Sequence, residues 1–220
     1  MNDYTGHVVP GGPSDVRELD ALTIRKASVG TLDNNAYLLT CRATGAQLLI
    51  DAADDAARLR ELVDEGTGDL DVIVTTHQHW DHHRALVEMT ERTNPATAAG
   101  AADADAIPVP PNVKLRDGDT VRVGEVELQV IALRGHTPGS IALLYTDPSG
   151  HPHLFTGDSL FPGGPGKTTS PQDFTSLMSD LETRVFDVLP DDTWVYPGHG
   201  RDTTLGAERP HLAEWRSRGW

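Results

Sequence analysis

Val74-Thr75-Thr76-His77-Gln78-His79-Trp80-Asp81-His82 is the stretch from which the rest of the chain can be read. Leu70 to Val74 is a short apolar run of the length and composition of a strand buried on both faces. It stops at two threonines, and the next six positions carry four side chains able to hold a metal: His77, His79, Asp81 and His82. In extended backbone the side chains alternate, so His77 and His79 point the same way and can share one divalent ion. Asp81 and His82 fall where the chain turns into a helix, expected over His82 to Arg92, and can face a second ion beside the first. Imidazole nitrogen and carboxylate oxygen suit a borderline cation such as zinc.

Three later residues sit in the same kind of place. His136 lies in Gly135-His136-Thr137-Pro138-Gly139, Asp158 in Thr156-Gly157-Asp158-Ser159, and His199 in Pro197-Gly198-His199-Gly200. Each follows an expected strand, among glycines that let the backbone turn sharply and approach a ligand. Those strands are Val126 to Leu133, preceded by Val121 to Val123 across a Gly124-Glu125 turn, then His153 to Thr156, and Thr193 to Tyr196. Further strands are expected over Leu22 to Val29, Ala36 to Thr40, Ala46 to Ile50 and Ile141 to Tyr145. Ala43-Thr44-Gly45 reads as a hairpin turn. Asp54 to Asp64 reads as a helix with Asp54 as its N-cap. Phe174 to Leu189 reads as an amphipathic helix with Leu177, Leu181, Val185, Val188 and Leu189 near one face. A short helix is expected between Ala207 and Glu214.

Strands with interspersed helices and no linker composition predict one α/β domain over residues 16–220. A Gly- and Pro-rich flexible arm is expected over residues 1–15. The chain has 18 Lys and Arg against 33 Asp and Glu, a net charge of −15. A field of that sign repels phosphate backbones and anionic lipid, so no nucleic-acid or membrane partner is expected. Cys41 is the only cysteine, which excludes an intrachain disulfide. No apolar run approaches the roughly 20 residues of a membrane span, and the N-terminus lacks the basic and apolar regions of a signal peptide; both predict a cytoplasmic protein. His7, His83, His151, His153 and His211 match no ligand pattern and are expected to make solvent or local hydrogen bonds.

In motif order the chain resembles the metallo-β-lactamase-fold hydrolases, most of all their glyoxalase II-like branch, from about Leu22 to His199. The resemblance implies an αββα sandwich of two mixed sheets with the metals at one edge. It implies that His77, His79 and His136 bind a first metal, that Asp81, His82 and His199 bind a second, and that Asp158 bridges both. It further implies two zinc ions per chain and hydrolysis of an activated carbonyl, a thioester first and a lactone second, by a metal-bound hydroxide. Asp81 then also orients the nucleophile. Lys167, on the loop Gly163-Gly164-Pro165-Gly166-Lys167, is a candidate anchor for a substrate carboxylate, and Phe161 a candidate substrate contact.

Departures from the family pattern narrow the reading. His79 in place of Glu disfavours the flavodiiron oxygen reductases, and Asp158 in place of Cys disfavours the largest class of zinc β-lactamases. Lys167 stands where Arg is common, and only 21 residues follow His199, too few for the C-terminal helical domain of glyoxalase II. Two alternatives remain at this stage. One is a mononuclear iron persulfide dioxygenase, with one Fe²⁺ on His79, His136 and Asp158. The other is a non-catalytic metal-binding module.

Overall fold

A computed structural model describes residues 4–219; residues 1–3, the first part of the expected arm, and residue 220 lie outside the described residues. Seven strands form the first sheet side by side in chain order: β1 (Asp15–Glu18), β2 (Leu22–Val29), β3 (Asn34–Cys41), β4 (Gln47–Ile50), β5 (Val72–Thr75), β6 (Ala96–Gly100) and β7 (Val113–Leu115). β1 to β4 run antiparallel, joined by short turns such as that at residues 43–45. From β4 onward the pairs are parallel. Parallel neighbours need a crossover, and α1 (Ala56–Asp64) and α2 (Leu86–Thr93) supply the first two.

The second sheet holds β8 (Thr120–Val123), β9 (Val126–Ala132), β10 (Ile141–Thr146) and β11 (Pro152–Gly157) as an antiparallel meander. A small hairpin, β12 (Leu160–Phe161) and β13 (Gly164–Pro165), and α3 (Pro171–Leu181) then lead to β14 (Trp194–Pro197), parallel to β11. β15 (Thr203–Thr204) closes the edge, followed by α4 (Leu205–Glu208) and α5 (Leu212–Arg218).

Alternation along the strands explains the layers. In β4, Leu48 and Ile50 enter the core between the sheets, whereas Leu49 faces α1 and α2 with Ile73, Leu59, Leu62 and Met89. In β10, Ile141, Leu143 and Tyr145 point into the same central core, while Ala142 and Leu144 face α3 and α5 with Leu177, Leu181 and Trp215. Both faces of each sheet are therefore apolar, and the fold is the αββα sandwich that the family resemblance implies.

Several local expectations change. The N-cap of α1 is Asp55, whose side chain accepts from Arg58 N. Asp54 is engaged instead with Arg84 and the Asp55 amide. The helix expected from His82 is split: residues 80–82 form one 3₁₀ turn, and α2 starts only at Leu86. The helix expected from Phe174 starts at Pro171, capped by Ser170, and runs into a π turn over residues 182–186. The wider turn rotates the helical register, which leaves Val188 67% exposed rather than on the buried face. Residues 4–14 lie along the sandwich: Tyr4 Oη donates to Asp202 at 2.6 Å, and Gly11 N donates to Ser28 O at 3.2 Å. Among the described residues no helix is long and apolar enough to cross a membrane.

Candidate metal centre

The seven side chains singled out by spacing come from segments that leave the C-terminal ends of four strands. His77 and His79 follow β5, with Asp81 and His82 on the 3₁₀ turn; His136 follows β9; Asp158 follows β11; His199 follows β14. All seven meet at one edge of the sandwich. Their donor atoms form three groups within 4.8 Å: His77 with His79 and His136, His77 with His82 and Asp158, and Asp81 with His82 and His199. Asp158 lies between the outer groups, its Oδ1 3.4 Å from His82 Nε2 and its Oδ2 3.6 Å from His136 Nε2 and 3.4 Å from His199 Nε2. Gly198 permits that approach, since a Cβ there would fall 2.1 Å from Asp158 Oδ1.

Outer hydrogen bonds decide which ring nitrogens face inward. His136 Nδ1 donates to Lys167 O at 2.6 Å and His199 Nδ1 to Leu32 O at 2.8 Å. His82 Nδ1 donates to Asp51 Oδ2 at 2.9 Å. Thr76 Oγ1 donates to Asp51 Oδ2 at 2.8 Å, and so is left to accept from His77 Nδ1 at 3.0 Å. Each of these four rings therefore presents a bare Nε2 to the centre when neutral.

The residues present fit a bound cation. His82 Nε2 and His199 Nε2 lie 3.2 Å apart and His79 Nδ1 and His136 Nε2 2.9 Å apart. His77 Nε2 and Asp158 Oδ1 are buried with no hydrogen-bond partner. Facing lone pairs and orphaned buried acceptors call for positive charge. The electrostatics agree. Burial opposes charge on His82, yet Asp51 and Asp158 push it up to about 10. Burial likewise opposes charge on His199, and Asp158 still raises it. Asp158 is held well below the usual carboxylate range by His199 and His82 against the effect of burial. His77 and His136 are lowered, first by burial.

Three residues that sequence reading missed hold this cluster. Asp51 follows β4 with φ +60° and accepts from Thr76 N, Thr76 Oγ1 and His82 Nδ1. Asp103 is fully buried; its carboxylate accepts from Gln78 N at 2.9 Å, Thr137 Oγ1 at 2.5 Å and Gly139 N at 2.6 Å. It thus ties the His77–His79 loop to the His136 loop. Asn34 Nδ2 donates to Asp81 O and Oδ2, both at 3.0 Å. Their sequence signal is weak, a polar residue at a strand end, and only the partners make them distinctive. Phe161 places its ring centroid 6.3 Å from that of His199. Lys167 meets the cluster through its carbonyl, and its side chain is exposed.

A family model described as the metallo-beta-lactamase superfamily matches residues 29–199. A hydroxyacylglutathione hydrolase of Cereibacter sphaeroides is 36% identical over 167 residues, which are 76% of this chain and 62% of that protein. An uncharacterized protein of Aquifex aeolicus is 32% identical over 206 residues, covering 86% of this chain and 94% of its own. The crystal structure of ETHE1 from Myxococcus xanthus superposes with a TM-score of 0.76 at 32% identity, over 88% of this chain and 84% of that one. The chain spans about 62% of the length of the hydroxyacylglutathione hydrolase it matches.

Proposed function

The chain belongs to the metallo-beta-lactamase superfamily, and from that premise we propose that it is a dinuclear zinc hydrolase of activated carbonyl compounds, thioesters foremost. His77, His79 and His136 would hold one cation, Asp81, His82 and His199 the other, and Asp158 would be a ligand common to both. The observation that carries the reading is the convergence of these side chains around buried, unpartnered His77 Nε2 and Asp158 Oδ1. The Cereibacter relative's name, hydroxyacylglutathione hydrolase, supports the thioester.

When bound, the cations supply an acidified water and a Lewis acid for the carbonyl oxygen. The chain's own residues do the rest. Asp51, Lys167 O and Leu32 O hold the Nδ1 protons of His82, His136 and His199, so these rings enter as neutral, oriented ligands. Asp81 Oδ2 is kept in place by Asn34 Nδ2, 3.4 Å from His199 Nε2, where it orients the attacking water. Phe161 gives the mouth an apolar wall beside His199. No serine or cysteine nucleophile is required.

Metal quantification on protein purified from its host, followed by a panel of thioesters and lactones, tests this reading. About two zinc per chain with thioester turnover that chelation abolishes and zinc restores is the expected result. One iron per chain with oxygen uptake on a persulfide, or two zinc with no turnover of any carbonyl substrate, overturns it.

A further inference from the structure

Lys26 is fully buried, whereas Lys114 and Lys167 are exposed. On β2 it continues the row of Leu22 and Ile24, which face the core between the sheets. Its ammonium has three donors and all are taken: by Gly200 O at 2.7 Å, Gly6 O at 2.8 Å and Asp202 Oδ1 at 2.6 Å. The Asp202 side chain is only 1% exposed, and its Oδ2 accepts from Tyr4 Oη at 2.6 Å and Trp194 Nε1 at 2.9 Å. Residue 6 is glycine where segment 4–14 crosses this pair: φ is +69°, and a Cβ would fall 2.7 Å from Asp202 Oδ2.

A buried ion pair is a poor source of stability, because desolvation of both partners offsets their attraction. Burial lowers Lys26 and raises Asp202, the same penalty felt on each side. The place of the pair is more telling. Gly200 follows His199, and the backbone on both sides of that histidine is gripped from β3. Asn35 N donates to Gly198 O at 2.7 Å, Asn35 Nδ2 to Pro197 O and Gly200 O at 2.8 and 3.0 Å, and Tyr37 Oη to Pro197 O at 2.6 Å. Tyr37 is the β3 residue opposite Lys26, and Lys26 adds a charged donor to the same set. The His77–His79 and His136 loops are held elsewhere, by Asp103 through Gln78, Thr137 and Gly139.

We infer that Lys26 is a positioning residue for the cation site of Asp81, His82 and His199. Its ammonium fixes the Gly200 carbonyl, and thereby the point at which His199 presents Nε2, and segment 4–14 completes the clamp through Gly6 O and Tyr4. The inference rests on the two-cation reading above and adds to it residues outside the ligand set.

The test is competition for zinc between the full chain and a chelator, which reads the affinity of each equivalent, with a thermal melt of every variant. H199A first marks the equivalent to which His199 belongs. K26M alone leaves the Asp202 carboxylate buried without its counter-charge and should lose stability. K26M/D202N removes both charges, while the amide oxygen can still accept from Tyr4 and Trp194. It should melt close to the wild type yet bind the His199 equivalent about tenfold more weakly, the lower end for outer partners of a ligand. The other equivalent should be unchanged, and in an H199A background the double substitution should weaken nothing further. Unchanged affinity in folded K26M/D202N, equal weakening of both equivalents, or a further loss in the H199A background overturns the inference. If K26M/D202N does not fold, Y4F decides, since it takes one donor from Asp202 and no charge. The His199 equivalent should then weaken about threefold, and unchanged affinity overturns the inference. The two-cation reading fails separately. A wild type that takes up one zinc overturns that reading, and the inference then stands or falls on whether that zinc weakens in both H199A and K26M/D202N.

Discussion

Among the described residues two clusters of imidazoles lie close together, and one of the two is short of positive charge. At the β5, β9, β11 and β14 ends, five histidines turn ring nitrogens toward one another with Asp81 and Asp158 among them, and two buried acceptors go unpartnered. On β11 and the turn before it, His151 Nδ1 and His153 Nε2 are also close, at 3.2 Å. There, however, every remaining ring nitrogen has a neutral partner: His153 Nδ1 pairs with Tyr196 Oη at 2.9 Å and His151 Nε2 donates to Asp192 O at 2.7 Å. The charged groups near that pair are Arg17, which stacks on Trp194 at 3.8 Å and donates to Tyr196 Oη, Asp147, and Asp192, whose Oδ2 is 4.0 Å from His151 Nε2, the ring nitrogen that does not face His153. Close imidazoles alone therefore do not make a cation site. What distinguishes the first cluster as a candidate cation site is the carboxylates placed between ring nitrogens and the Nδ1 partners that turn Nε2 inward.

Substitutions that remove one part at a time sharpen this contrast. Asp158→Ala takes away the carboxylate common to both halves of the cluster. It should cost the chain both bound metals and reduce thioester turnover to that of the chelated protein, checked by metal content beside activity; full zinc stoichiometry with full turnover would break the assignment. Asp51→Asn keeps the shape but weakens the acceptor that orients His82 directly and His77 through Thr76. Outer partners of this kind are worth about 10- to 100-fold in metal affinity, so both metals should bind more weakly by that order in a chelator competition. Asp103→Asn replaces a carboxylate that receives three donors with an amide whose NH₂ must face one of them. Its effect should fall on the His77, His79 and His136 half alone, about tenfold, with the second equivalent of metal unchanged. Equal weakening of both equivalents would show that the two loops are not held independently.

The candidate ligand positions were legible because the pattern is local: His-x-His-x-Asp-His after a β-branched strand, and a single His or Asp among glycines after three others. The sandwich was legible in Leu48-Leu49-Ile50 and in Ile141 to Tyr145, where every position is apolar because both faces are covered. What was missed has physical causes. β6 reads Ala-Thr-Ala-Ala-Gly, in which only Thr97 favours a strand, and its place is imposed by parallel pairing with β5. The early end of the His82 helix follows from His82 turning inward to Asp51, which no helical periodicity records. Asp51 and Asp103 look like any acidic residue at the end of a strand, and their roles exist only through partners 25 to 36 positions away.

The smallest expected effect concerns the second cluster and is a matter of pH. Burial, then Arg17 and His151, lower His153 to about 3, with Asp147 opposing weakly; Tyr145 and Tyr196 pack against the ring without charge. In the folded chain His153 is thus neutral at any pH above about 3, whereas in the unfolded chain it takes up a proton below about 6.5. The unfolded state then binds more protons, so the contribution of His153 to stability is fully present above pH 6.5 and is lost as pH falls toward 3. The limiting slope is about 1.4 kcal/mol per pH unit. His153→Gln keeps an acceptor for Tyr196 Oη and removes the titration. Urea unfolding of both proteins, each chelated so that the metal-centre histidines contribute equally, should show the stability gap between wild type and variant shifting against the wild type from pH 6.5 to 4.5. A gap that stays constant over that range would mean that His153 is charged inside the fold, and that the second cluster gathers protons as the first gathers cations.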